Sequence, residues 1–269
     1  MGSRNLAVRV GFNGVYALLA VTSVWADIGA STPLSYSAAG IVNAATQTPD
    51  ALAPNTIATI YGQNLAFTTY GLSPADLTGG TMPPSLQGVS VLVRGIPCGL
   101  FYVSPGQINF LIPYELTAGM VNVVVVRQGT AGPSVNIQLT STAPGFFQWN
   151  GNFPVAVHLD GKIVSPTFPA KGGEVIILYA AGLGRTTPDS SSGRIAAFAA
   201  PIQAAAQLQV VLNGKAAPPG SVSYAGLAPG FAGLYQINFL VPADLPPNPE
   251  IRLAIGAQTS PPLIQLPVQ

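Results

Sequence analysis

Charge is scarce in this 269-residue sequence: 10 Lys and Arg with 9 Asp and Glu make up only 7% of the chain, against roughly 25% in an ordinary soluble domain. That deficit excludes whole classes of function. Nucleic-acid binding needs clustered Lys and Arg over phosphates, and a net charge of +1 without a basic run supplies no such cluster. Calcium cages and multi-ligand metal centres need carboxylates, histidines or cysteines in number, and the chain has one His and one Cys. No metal or other cofactor is expected. The single cysteine, Cys98, also forbids an intramolecular disulfide, so stability must come from packing. The glycine-rich segments contain no Gly-x-Gly-x-x-Gly opening a helix, no Walker sequence and no Gly-x-Ser-x-Gly nucleophile elbow.

Glycine and proline, in contrast, are abundant, with 30 and 26 residues. The 48% hydrophobic content excludes disorder, which goes with few apolar residues and much charge. There is material for one large or two medium cores. Residues 1–26 read as a signal peptide: Arg4 and Arg9 give a basic start, 15–25 is apolar, and Val24-Trp25-Ala26 is a small-residue cleavage pattern. The apolar run is shorter than the roughly 20 residues that a spanning helix needs. A secreted or cell-envelope location follows, with residues 27–36 as an N-terminal segment of a nearly neutral mature chain.

Apolar and polar residues alternate throughout the rest. Val89, Val91 and Val93 stand against Ser90, Leu92 and Arg94, and Val135, Ile137 and Leu139 against Asn136 and Gln138. The same alternation marks Leu208, Val210 and Leu212, and Ile251, Leu253 and Ile255. Asp160-Gly161 predicts a hairpin turn. Residues 195–207 are alanine-rich but interrupted by Pro201, which predicts a loop with at most one helical turn. Runs of about 5 to 7 residues are too short for an outer-membrane barrel and fit a soluble β-sandwich.

The two halves repeat each other. Ile57-Ala58-Thr59-Ile60-Tyr61-Gly62-Gln63-Asn64-Leu65 matches Val175-Ile176-Ile177-Leu178-Tyr179-Ala180-Ala181-Gly182-Leu183, and Gln107-Ile108-Asn109-Phe110-Leu111-Ile112-Pro113 matches Gln236-Ile237-Asn238-Phe239-Leu240-Val241-Pro242. The spacing grows along the chain, which places an insertion in the second copy around residues 225–234. Each copy is about a hundred residues, the size of one immunoglobulin-like sandwich. The expected architecture is all-β: two tandem immunoglobulin-like (IPT/TIG-like) sandwiches, residues 37–143 and 144–269. Asn64 and Gly182 occupy equivalent places and both tolerate a left-handed backbone, so a turn with positive φ is expected at each. The amides of Gln107, Asn109, Gln236 and Asn238 are expected to bind nearby loop backbone as part of the scaffold.

Gly40-Ile41-Val42-Asn43-Ala44-Ala45, Tyr61-Gly62-Gln63-Asn64-Leu65-Ala66, Tyr102-Val103-Ser104-Pro105-Gly106-Gln107-Ile108-Asn109, Ala143-Pro144-Gly145-Phe146-Phe147, Leu178-Tyr179-Ala180-Ala181-Gly182-Leu183-Gly184 and Tyr224-Ala225-Gly226-Leu227-Ala228-Pro229-Gly230 extend the pattern. Together they resemble the Solibacter-type uncharacterised C-terminal domain family of acidobacteria over about residues 37–269. Each half also looks like an IPT/TIG domain, an immunoglobulin-like fold of cell-surface receptors and adhesins. Members of the acidobacterial family carry this region at the end of larger exported proteins, whereas here it would follow the leader directly. The resemblance brings no reaction and no catalytic residues.

Candidates for chemistry are few. His158, the only histidine, shares a strand face with Asp160, so a general base oriented by that carboxylate can be drawn. Beside a turn, however, that face is expected to be solvated. Asp50, Asp76, Glu115, Glu174, Asp189 and Asp244 are scattered, with no pair selected for glycosidase chemistry. Cys98 is expected to be a small buried hydrophobe. Aromatic residues crowd at the junction between copies: Phe146, Phe147, Trp149 and Phe153. They either fill the seam between sandwiches or present a face, with Trp149, Phe147 and Phe153 as the contact residues and Tyr70 or Tyr235 as helpers, for a sugar or protein. The expectation is an exported, non-catalytic module that contacts a cell-envelope or extracellular matrix component, protein or glycan. Neither nucleic-acid binding nor integral membrane insertion is expected, and the alternative is a carbohydrate-binding module built around Trp149.

Overall fold

Val89, Val91 and Val93 are fully buried while Ser90 and Leu92 are half-buried, as a strand with one face on a core requires. Repetition of this pattern builds an all-β chain. The structure is a computed structural model that describes residues 32–49, 52–150, 152–189 and 193–269; the signal peptide 1–26 and residues 27–31 of the expected N-terminal segment lie outside the described residues.

In the first sandwich one sheet runs in the order Ser35–Asn43, Ile57–Gln63, Gln107–Leu111, Leu100–Val103, Tyr70–Gly71. The facing sheet runs Val135–Leu139, Gly119–Arg127, Val89–Val93, Ile96–Pro97. Ile60, Ile108, Phe110 and Leu100 from one sheet meet Val91, Val123 and Leu139 from the other in a single buried cluster. The second sandwich repeats the order: Gly145–Phe146, Val175–Ala181, Tyr235–Leu240, Val222–Leu227, Ala200–Pro201 face Lys215–Ala216, Leu208–Leu212, Ile251–Ile255, Gln258–Thr259. Its core gathers Phe146, Leu178, Ile237, Phe239, Val210 and Leu253.

Register is conserved between the copies. Ile60 lies opposite Ile108, and Leu178 opposite Ile237. The register of each sheet slips at the same place, between Leu100 and Tyr102 and between Val222 and Tyr224. Parallel bridges Leu52–Leu139 and Ala170–Val268 close equivalent edges. Asn64 and Gly182 both take positive φ, at 57° and 74°.

Three expectations are corrected. Ser35–Asn43 and Gly119–Arg127 have nine residues each, longer than the alternation implied. The second is long because it pairs with Val89–Val93 on one side and Val135–Leu139 on the other. The extra length of the second copy is split between the connections 217–221 and 228–234, since 225–227 are strand. Within 195–207, Ala200–Pro201 forms an edge strand before the 3-10 turn Ala205–Gln207; proline is tolerated on an edge because no ladder donor is needed there. The Asp160-Gly161 hairpin forms as read, with His158 N–H donating to Lys162 O at 2.9 Å and Gly161 at φ 82°.

Candidate functional site

Both sandwiches belong to one compact unit, Pro33–Gln269, with an apolar cluster between them. Met82, Leu111 and Ala232 are buried there, with Ile57, Leu72, Phe101 and Ile195 packed around them. Glycine backbone closes the rest. Ala143 N–H donates to Gly182 O at 2.7 Å, and Met82 N–H to Gly193 O at 2.8 Å. A Cβ on Gly233 would stand 2.3 Å from Leu111 Cδ1. Tyr235, at the start of its strand, donates its hydroxyl to Gly184 O, with the Asn55 side chain of the first sandwich against it. Burial pushes that phenol far up.

The junction aromatics divide. Phe146 belongs to the second core, because Gly145–Phe146 pairs with Ala181 and Ala180. Phe147, Trp149 and Phe153 are half-buried. Trp149 sits opposite Phe153 in a two-stranded ribbon, ring centroids 5.9 Å apart. The indole Nε1 is buried without a partner, so its N–H does not face solvent. Neither helper joins them: Tyr235 is fully buried, and Tyr70 lies in the first sandwich with its hydroxyl on the Asp76 carboxylate at 3.1 Å.

His158 contradicts the expected solvated face. It is only 7% exposed, beside fully buried Ala156, while Leu159 on the other face is 70% exposed. The partner is Glu174 rather than Asp160: Nδ1 lies 2.5 Å from Glu174 Oε1, and Nε2 lies 3.2 Å from the Phe168 carbonyl. The imidazole also packs on the Phe168 ring at 4.4 Å. Both ring nitrogens are thus engaged, and Asp160 is held outside by Lys162 at 2.9 Å. Desolvation pushes the Glu174 carboxyl up, but hydrogen bonds from His158 and the Lys171 N–H together hold it below its ordinary value.

The repeat amides bind each other rather than loop backbone. Gln107 Nε2 donates to Asn109 Oδ1 at 2.9 Å, and that oxygen also accepts from Thr59 Oγ1 at 3.0 Å. Gln236 Nε2 donates to Asn238 Oδ1 at 2.7 Å. Residues two apart share a strand face, so the nearest acceptor is the neighbour. Cys98 is buried in the first core, its thiol near Ile96 O, and burial pushes its pKa far up. Among the described residues no group of three or more His, Cys, Asp or Glu could hold a metal ion, and no helix is long and apolar enough to cross a membrane.

One surface escaped sequence reading. Phe198 is 82% exposed and Phe231 54% exposed, on separate loops of the second sandwich. Gly230 N–H donates to Ala196 O at 2.8 Å and Ala196 N–H to Phe231 O at 3.1 Å, which ties the loops side by side. Ala197, Ala199 and Pro229 around them are exposed too. The available signal was a lone phenylalanine in each of two stretches otherwise made of Ala, Gly and Pro.

Two tandem antiparallel sandwiches, each with its own core, define the class: immunoglobulin-like β-modules. More particularly, residues 48–143 match the IPT/TIG domain. No curated protein sequence matches the chain. Among solved structures, a surface glycan-binding protein from Prevotella bryantii is 12% identical, with 88% of this chain covering 42% of that one at a TM-score of 0.27. SGBP-B of the Bacteroides ovatus mixed-linkage glucan utilization locus, in complex with a mixed-linkage heptasaccharide, is 11% identical; 81% of this chain covers 42% of that one at a TM-score of 0.32. Domains 5-6 of the S-layer protein SbsC are 10% identical, covering 87% of this chain and 98% of theirs at a TM-score of 0.25. The chain spans about two fifths of the length of the two glycan-associated structures, 42% in each case.

Proposed function

We propose that this chain is an exported, non-catalytic surface, matrix or adhesion module with a structural or protein-binding role. The observation that carries this reading is the Phe198–Phe231 patch, two exposed rings on loops tied together by backbone hydrogen bonds. Exposed aromatic anchors of this kind are what protein interfaces bury. The residues that flank the rings in sequence, Ala197, Ala199, Gly230 and Ala232, carry no side-chain donor or acceptor, which suits an apolar partner surface better than a sugar. Scarce charge adds to this, because weakly charged surfaces repel each other little. A leader at 1–26, sandwiches at 37–143 and 144–269, a second IPT/TIG-like repeat and membership of the Solibacter-type family belong to the same proposal. Binding of the purified chain to isolated cell envelopes or matrix material tests it. Retention by either, abolished in the double variant Phe198→Ser with Phe231→Ser, is the expected result; no retention, or retention unchanged in that variant, overturns it.

A second reading keeps Trp149, Phe147 and Phe153 as a contact face for a glycan, since the Trp149–Phe153 pair stays half-exposed. It lacks the polar partners that sugar hydroxyls need at Trp149 Nε1 and Tyr235. Glycan-array binding lost in Trp149→Ala is its test.

A further inference from the structure

The second sandwich carries a groove of about 1150 Å³ lined by Val210, Ala217, Val222, Tyr224 and Leu245, with exposed Lys215 and Asp244 among its walls. The internal repeat explains why it is open. In the first sandwich the long connection 72–88 leads from the Tyr70–Gly71 edge strand to Val89–Val93, and part of it lies along the equivalent strand. Leu100 N–H donates to Pro83 O at 3.0 Å. Met82 Cβ stands only 2.9 Å from where a Cβ on Gly99 would be, and Leu86 is buried in the core. The Met82-Pro83-Pro84-Ser85-Leu86 segment thus covers that edge of the first sandwich, joined to it through Pro83 O and the buried Leu86 side chain. In the second sandwich the corresponding connection is only 202–207, and among the described residues no segment is hydrogen-bonded in that place.

The docking edge itself is retained. Leu240 N–H donates to Ser221 O at 2.7 Å, as Leu111 N–H donates to Gly99 O at 2.9 Å. In antiparallel geometry this makes Val222 and Phe239 a non-hydrogen-bonded pair, like Leu100 and Phe110, so the N–H and C=O of Val222 point away from the neighbouring strand. In the first sandwich that outward N–H is the one capped by Pro83. Ala217 N–H to Val210 O, 2.8 Å, likewise copies Cys98 N–H to Val91 O, 2.9 Å. Walls, register and outward donor are all present; among the described residues no segment satisfies them.

We propose that this groove binds an extended, uncharged, proline-containing peptide segment of another protein, in the place that Met82–Leu86 fills in the first sandwich. A carbonyl of the peptide accepts from Val222 N–H, and one large apolar side chain, in the place that Leu86 takes in the first core, enters the groove. Strand addition draws affinity from backbone hydrogen bonds and selectivity from such pockets. Prolines reduce the entropy lost on ordering and carry no N–H that would go unpaired. The groove is lined by residues other than those of the Phe198–Phe231 patch, so loss of that patch leaves this site intact and the two proposals fail separately.

The test is titration of the isotopically labelled full chain with a synthetic peptide, Thr-Met-Pro-Pro-Ser-Leu-Gln, the chain's own residues 81–87. The expected result is saturable amide shifts at Val222–Ala225, Val210 and Leu245, the largest at Val222. Replacing Leu of the peptide by Ser should weaken binding about tenfold or more. Ala205→Trp, which fills the groove from an exposed position, should do the same, and Ala206→Trp replaces it if the first variant fails to fold. Absence of saturable shifts at millimolar peptide, shifts confined elsewhere, or binding undiminished in the folded tryptophan variant overturns the proposal. Self-association abolished by Ala205→Trp, without peptide binding, also overturns it and gives the groove to a second copy.

Discussion

Gly182 is held to glycine twice over, by a φ of 74° and by the Ala143 carbonyl, which would lie 1.9 Å from any Cβ. Gly182→Ala should therefore cost at least about 2 kcal/mol in denaturant unfolding, combining left-handed strain with a clash. Asn64→Ala, at the equivalent turn with φ 57°, meets mainly the strain and should cost about 1 kcal/mol. The His158–Glu174 pair sets a pH dependence. Because the folded Glu174 carboxyl lies below its ordinary 4.5, its contribution is complete above that value and is lost as pH falls through the lower folded value. Glu174→Gln should flatten the acid limb of a stability-against-pH profile. Single-residue chemistry of this kind was only partly legible. The positive φ at Asn64 and Gly182 could be read because both residue types favour it, whereas the burial of His158 depends on a carboxylate, just before the Val175–Ala181 strand, that only folding brings near.

At the scale of elements, strands announced themselves through alternation because each sheet has one face on a core. Val89–Val93 and Leu208–Leu212 were legible for that reason. The Ala200–Pro201 edge strand was not, since two residues show no period and proline argues for a loop. Nor was the exposed pair on loops, where no periodicity exists to violate. Because Phe198 and Phe231 lie outside the cores, Phe198→Ser with Phe231→Ser should leave the unfolding midpoint nearly unchanged, within about 0.5 kcal/mol per site, while removing surface adhesion. A comparable loss of stability would show that these loops are structural and would remove the interface reading.

At the scale of the whole molecule, repeat and composition gave two sandwiches, but not how closely they are joined. That closeness rests on backbone meeting backbone at Gly182 and Gly184 and on Leu111 and Ile57 packing onto Gly233, and an alternating pattern contains no signal for it. Such a seam should make the two halves unfold in one calorimetric transition. Gly233→Val, which drives a side chain into Leu111 and Ile57 at φ 66°, should separate that transition into two. The lone thiol makes the same question accessible to kinetics. Cys98 lies sealed in the first core, and in a chain cleaved after Ala26 Trp149 in the second half is the remaining tryptophan, so a thiol-reactive dye clocks openings of one half while indole fluorescence follows the other. Equal rates would mean that neither half breathes alone, and a faster dye reaction would date the first half's separate excursions without any engineered label.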